Sequence, residues 1–273
     1  MRYLKGSIAI SESLDLPLLL HVRNARYIFD RQLSALLGYG DGNLERKRLA
    51  WRVDRLVRAG YVEAFDQRVQ GQKVHSITRK GLQYLEARGH QLISITSEME
   101  TFLDPTKMMH SLELTTIRLG FQHSGTLHSW KSDVEVSSEN METGDEYAKD
   151  YDAIAVLRTK DRLLRFGIEY ERTTKAVSRY RDLHDLLANE RKLDGILYFV
   201  RGAERLFTVA GHLVGAHPEL LFCAADSFEL RGLNTLFMRT PAQPAMSLVD
   251  SLGLVSVASG TAQERLSFPV HMN

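Results

Sequence analysis

The stretch 44–85, reading LERKRLAWRVDRLVRAGYVEAFDQRVQGQKVHSITRKGLQYL, constrains this chain more than any other. It opens as a basic amphipathic helix, because Leu49, Val53, Leu56 and Val57 recur at helical spacing and share one face. Gly60 ends the helix, free to take the positive φ that a helix C-terminus favours. A β-prone run at 61–65, a polar tip at 66–73 containing Gly71, and a second β-prone run at 74–77 follow. Thr78 is then placed to cap a closing helix over 78–88.

The basic helix carries six cations: Arg46, Lys47, Arg48, Arg52, Arg55 and Arg58. Arg48, Arg52 and Arg55 follow i, i+4, i+7 spacing and form a stripe beside the apolar face. Arginine pairs bidentately with guanine edges or phosphates, which is the chemistry of groove readout. Arg68, Gln70, Gln72 and Lys73 sit at the tip between the two strands, in reach of a minor groove or backbone. Helix, strand, basic loop, strand, helix is the layout of a winged helix-turn-helix, whose second helix enters a DNA groove. The expected DNA contacts are therefore Arg46, Lys47, Arg48, Arg52, Arg55, Arg68 and Lys73, and the expected partner is double-stranded DNA, bound by a homodimer as paired half-sites require. The competing reading is a solvated cationic face on a module that binds protein. Trp51 is assigned to core packing against the first helix in preference to base stacking.

At 273 residues the chain has room for one large or two ordinary domains, each able to bury its own core. The net charge of +1 conceals an asymmetry. Residues 1–95 hold 16 Lys/Arg against 9 Asp/Glu, a net of +7, whereas the remainder hold 19 against 25, a net of −6. A basic first third points to a polyanionic partner. The single cysteine, Cys223, excludes an internal disulfide and a cysteine-rich zinc site, and fits a reducing cytoplasm. No apolar run is long enough to span a bilayer, and the N-terminus lacks the pattern of a signal peptide, so no membrane association is expected.

Ahead of the basic helix, residues 17–25 and the segment YIFDRQLSALLG read as two further helices, the second with Asp30 as N-cap and Gly38 as C-cap. The first domain is placed at 12–92, followed by a partly helical linker at 93–106 that stops at Asp104-Pro105. A second domain is placed at 107–240. It comprises a helix at 108–123, a strand at 126–136, a polar loop at 137–150 and strands at 151–158 and 163–170. A charged helix at 173–192, a strand at 193–200, a helix at 203–214 and a strand at 219–224 complete it. This order is an α/β layout with a mixed central sheet. Residues 241–273 read as a loosely packed tail.

Four carboxylates track these elements: Glu113 in the first helix, Asp152 at the start of one strand, and Glu169 and Glu171 at the end of the next. Strand residues two apart point the same way, so Glu169 and Glu171 face one side and repel. A divalent metal would offset that repulsion, with Asp152, Glu169 and Glu113 as its ligands. Here the chain resembles the PD-(D/E)xK nuclease-like fold, which places an acid at the start of one strand and acid-x-Lys at the end of the next. Asp152 and Glu169 match the acids, Tyr151 stands at the proline position, and Glu171 stands at the lysine position. Lys175, four residues on, offers a substitute ammonium.

Over about residues 14–225 the chain is similar to the replication-relaxation family of plasmids and mobile elements. The similarity is carried by the winged-helix layout, MMHSLELTTIRL, WKSDVEV, YDAIAVL, GIEYERTTKAVSRY and LYFV. The resemblance implies a regulator or accessory factor in replication or transfer of mobile DNA, with a nuclease-like domain; the glutamate at the lysine position favours a catalytically silent site, in which Glu171 pairs with Arg172 or Lys175 and no metal binds. The alternative is a DNA endonuclease that uses Mg²⁺ or Mn²⁺, with Asp152, Glu169, Glu171 and Lys175 as its catalytic group.

Overall fold

Arg26 is the residue on which the first turn of the fold pivots. In the computed structural model, which describes residues 8–40, 42–69, 71–144 and 146–254 (and not the side chains of 66–68), it has φ +59° and ψ −52°. The Tyr27 N–H donates to the Ala25 carbonyl at 2.6 Å, closing a γ-turn around it. This turn stops α1 (Asp15–Ala25) and throws the chain directly into β1 (Ile28–Phe29). The expected helix over YIFDRQLSALLG is therefore shorter. Ile28 and Phe29 pair with His75 and Val74, and α2 (Asp30–Leu36) starts only afterwards. Phe29, not Asp30, is its N-cap; the Gln32 side chain accepts the Phe29 N–H at 3.1 Å, and Asp30 instead meets the buried His75 ring at 2.7 Å.

The basic helix α3 (Asn43–Arg58) buries Leu49, Val53 and Leu56 as its spacing predicts, and Gly60 follows it at φ +76°. β2 (Val62–Val69) and β3 (Gln72–Ile77) run further than expected, taking up most of the polar tip, with Gly71 at φ +74° in the turn. The three strands lie in the order β1-β3-β2, all antiparallel. Thr78 caps α4 (Arg79–Glu86), accepting from the Gly81 N–H at 3.1 Å. Segment 93–106 contains no helix before a 3₁₀ turn at Pro105–Lys107, and Ile95 is buried in the first core.

α5 (Met108–His123) spans the residues its sequence predicts. β4 (Leu127–Ser132) is shorter than the strand expected at 126–136, because Asp133–Thr143 forms α6. The cause is a capping box. Both the Ser132 N–H and its hydroxyl donate to Glu135 at 2.8 Å, and Ser132 in turn accepts a backbone N–H of the helix. The polar loop expected at 137–150 is thus half helix.

β5 (Ala153–Arg158), β6 (Leu163–Glu171), α7 (Val177–Ala188), β7 (Gly195–Val200), α8 (Ala203–Leu213) and β8 (Leu220–Ala224) follow the expected order, α7 being shorter at both ends. The result is a five-stranded mixed sheet, β4-β5-β6-β7-β8, antiparallel from β4 to β6 and parallel from β6 to β8. The parallel strands β7 and β8 are buried throughout, as apolar runs covered on both faces require. On one face Tyr180, Leu183 and Leu187 of α7 and Leu206, Val209 and Leu213 of α8 pack on Ile154, Ile196 and Tyr198. On the other, Ile117 and Phe121 of α5 meet Phe166, Ile168 and Phe199.

The chain beyond residue 224 joins that second layer. α9 (Ala225–Arg231) brings Phe228 against Phe121 and Phe199, and β9 (Leu236–Phe237) adds Phe237. β10 (Met246–Ser247) and α10 (Leu248–Leu252) bury Leu248, and Leu254 is buried after them. The tail expected from 241 is therefore packed as far as 254, and residues 255–273 lie outside the described residues.

α5 is shared by the two halves. Leu112 packs with Tyr27, Phe29 and Val74, and the Gln32 amide donates to the Leu112 carbonyl at 2.7 Å. Among the described residues no helix is long and apolar enough to cross a membrane.

Phe228 sits where α5 comes closest. A Cβ on Gly120 would lie 2.6 Å from its ring, so the pair interlocks. Phe228→Ala is expected to lower unfolding free energy by about 3–5 kcal/mol in urea denaturation; a loss under about 1 kcal/mol would show that α9 is not part of the core.

Candidate functional site

Two clusters of charge stand out, and the first belongs to α3. Its cations divide into two groups that sequence spacing alone does not separate. Arg52 reaches the Asp15 carboxylate at 2.8 Å, and Arg55 pairs with the other oxygen of the same group. Asp15 is fully buried at the start of α1. Burial pushes its carboxyl up, but the Ser11 N–H and the two guanidinium groups outweigh that and hold it below the usual carboxylate value. Arg52 and Arg55, expected on the DNA-contacting stripe, are thus turned inward to hold α3 against α1. Arg46, Lys47 and Arg48 are exposed, as is Lys73 on β3; the Arg68 side chain lies outside the described residues.

Trp51 corrects a second expectation. It lies opposite Leu49 and Val53 on the helix, and 57% of its surface is exposed where core packing was expected. The Arg55 guanidinium stands 5.3 Å from the centre of its ring.

The second cluster lies at one end of the central sheet. Asp152 immediately precedes β5 and accepts the Tyr170 N–H at 2.7 Å and faces the His110 Nε2 at 3.1 Å. Glu169 and Glu171 leave β6 on one face, as alternation predicts, opposite Tyr198 and Val200 of β7. Glu169 pairs with Lys149, whose ammonium also rests 4.8 Å from the Tyr151 ring centre. Glu171 is buried, accepting from Lys175 at 2.7 Å, from the Tyr198 hydroxyl at 2.6 Å and from the Tyr180 hydroxyl. Burial and the bond to Glu171 push the Tyr180 hydroxyl up to about 12. Asp152, Glu169, Glu171 and Lys175 therefore do share one cleft, about 410 Å³ in volume, with His110, Arg26 and Asp133 on its walls.

Glu113 is elsewhere. It takes the Arg172 Nε at 2.5 Å, Arg201, and the Tyr170 hydroxyl at 2.8 Å, and lines a separate cavity of about 150 Å³ beside α9. Its expected place beside Asp152 and Glu169 is not realised, because Arg172, Arg201 and the Tyr170 hydroxyl hold it at the other cavity.

Lys149, His110 and Tyr180 were not anticipated as site residues. The Lys149 pairing has no spacing signal, since 20 positions separate it from Glu169 and the β5–β6 hairpin brings them together.

The donor set can be tested against a divalent ion. Each of the four carboxylates already has a protein cation: His110 for Asp152, Lys149 for Glu169, Lys175 for Glu171, and Arg172 with Arg201 for Glu113. Among the described residues, no three His, Cys, Asp or Glu side chains are grouped to hold a metal. As arranged, the residues do not fit Mg²⁺ or Mn²⁺, since binding would require displacing Lys149 and His110.

Electrostatics within the cleft are uneven. Burial raises both acids, yet the His110 charge and hydrogen bond, helped by Lys149, bring Asp152 below its usual value. Glu169 stays above its own, because burial and the Asp152 charge together outweigh Lys149. Burial lowers His110, but the Asp152 carboxylate reverses this and leaves the imidazole raised. That contribution to stability is full below the unfolded imidazole value and is lost as pH rises through the folded one. In Asp152→Asn, the strongest influence raising His110 is removed and burial is opposed only by the charges of Asp133 and Glu169, so NMR titration of the His110 ring should show its pKa falling relative to wild type; an unchanged pKa would show that the two groups do not interact.

Asp15→Asn leaves two guanidinium groups without their carboxylate and is expected to cost about 2–4 kcal/mol in urea denaturation, less than a fully buried pair because both arginines retain some solvent. The Asp15 contribution is present above the unfolded carboxyl value and is lost as pH falls through the lowered folded one, so the difference between wild type and variant should shrink on acidification. No protein-family model, curated protein or solved structure matches this chain.

Proposed function

We propose that this chain is a double-stranded DNA-binding protein that engages a groove through α3, in a winged helix-turn-helix formed by α1 to α4. The observation that carries this reading is the free face of α3. Arg46, Lys47 and Arg48 project to solvent, while Arg52 and Arg55 are used to brace the helix on Asp15. A helix held rigidly from behind and cationic in front is what phosphate and base-edge contact demands. The β2–β3 hairpin, carrying Lys73, supplies the wing, and the sheet order β1-β3-β2 with α2 preceding α3 accords with that architecture.

In this reading the second unit is a nuclease-like PD-(D/E)xK domain whose acids are neutralised by their own lysines and histidine. The protein would then act as a regulator or accessory factor in replication or transfer of a plasmid or mobile element, as the sequence resemblance implies. The alternative, an endonuclease, has one observation in its favour: Asp152, Glu169 and Lys175 open into a single cleft. Plasmid nicking with Mn²⁺ that is lost in Asp152→Ala and Glu169→Ala would establish it.

Replacing Arg46, Lys47 and Arg48 together by alanine should weaken duplex binding by at least about tenfold in fluorescence anisotropy and leave thermal stability unchanged. Replacing Arg52 and Arg55 should lower stability first. Undiminished binding by the triple variant would refute the interface.

A further inference from the structure

The proposed interface leaves Trp51 without a role. A tryptophan more than half exposed offers an aromatic face to a ligand, and here it is not a loose side chain. The Arg55 guanidinium backs one side of the ring at 5.3 Å. Arg55 is itself held by buried Asp15 and by the Ala9 carbonyl at 2.9 Å. The ring is therefore a platform set in place by the core of the domain.

Cations border it. Trp51 lies in a groove of about 600 Å³ with Leu14, Tyr39, Lys47, Arg48 and Arg52; among the described residues its lining holds no carboxylate, and with Arg52 committed to Asp15, Lys47 and Arg48 are the cations that face outward. Lys47 and Arg48 stand four and three residues before Trp51, one on each side of it across the helix face. A flat aromatic platform flanked by cations matches a ligand that is flat and aromatic in one part and anionic in the next, which is the chemistry of a nucleotide in a strand. Bases inside a duplex present only their edges, because their faces are stacked; a face becomes available when the base is unpaired.

We infer that the α3 groove seats an unpaired nucleobase of a DNA strand, stacked on Trp51, with Lys47 and Arg48 on the neighbouring phosphates. This rests on the DNA-binding reading and adds to it a preference for duplex with an adjoining single-stranded segment, as at a fork, a nick or a melted site.

The test uses the full chain with a blunt duplex and with the same duplex extended by a short run of unpaired thymines. Wild type should bind the extended duplex more tightly, with a change in tryptophan emission. Trp51→Ala should lose that advantage, by on the order of 5–100-fold, and keep its affinity for blunt duplex. Trp51→Phe should retain most of the advantage, since a phenyl ring still stacks. An extension that brings no advantage in wild type, or the same advantage in Trp51→Ala, overturns the inference while blunt-duplex binding stands. Competition by free thymidine monophosphate against the extension alone overturns the assignment to a strand and transfers the groove to free nucleotides. Failure of wild type to bind even blunt duplex overturns the DNA-binding reading beneath it.

Discussion

The buried Asp15 carboxylate organises the N-terminal half of this protein. A charge with no exposed surface is tolerable only with close partners, and Arg52 and Arg55 provide them from a helix 37 and 40 positions away. That demand sets the rotation of α3. With Arg52 and Arg55 turned toward α1 and Leu49, Val53 and Leu56 in the core, Arg46, Lys47 and Arg48 are left on the exposed side of the helix, together with more than half of the Trp51 surface. One buried acid thereby separates structural arginines from those free to meet a ligand, and through Arg55 it also steadies the Trp51 ring.

The end of the central sheet follows the same logic with a different outcome. Repulsion between Glu169 and Glu171 is relieved within the protein, by Lys149 for one and by Lys175 with two tyrosine hydroxyls for the other. Asp152 in turn faces His110, so each of these three acids has its own basic partner at the cleft. The two halves of the chain meet at its edge. Arg26, bent into its γ-turn, donates to Asp133 at 2.8 Å, so the residue that ends α1 also fastens the first turn of α6 beside Asp152.

Periodicity made much of this architecture legible. Apolar spacing placed α3 and α5, alternation placed Glu169 and Glu171 on one face, and the apolar runs of β7 and β8 read as buried strands. What escaped was governed by local capping or by contacts distant in sequence. The S-D-V-E run at 132–135 is a capping signal, readable in principle, that β-prone Trp130 and Val134 obscured. Arg26 with positive φ carries no such signal, and its effect was to convert Ile28 and Phe29 from helix to strand. The division of α3 cations could not be read either, because the i, i+4, i+7 stripe gives spacing but not the buried acid it faces. Glu113 was misplaced for a related reason: sequence identifies acids, whereas Arg172, Arg201 and Tyr170 determine which side of the sheet each one serves.

The central claim is that a braced helix presents free cations to DNA phosphates. Duplex affinity measured against salt concentration tests it most directly, because every phosphate neutralised releases counterions. The account predicts that the logarithm of the binding constant falls linearly with the logarithm of salt, with a slope of about −3 or steeper, as at least three free cations require. Binding that is absent at low salt, or that does not change with salt, would contradict it.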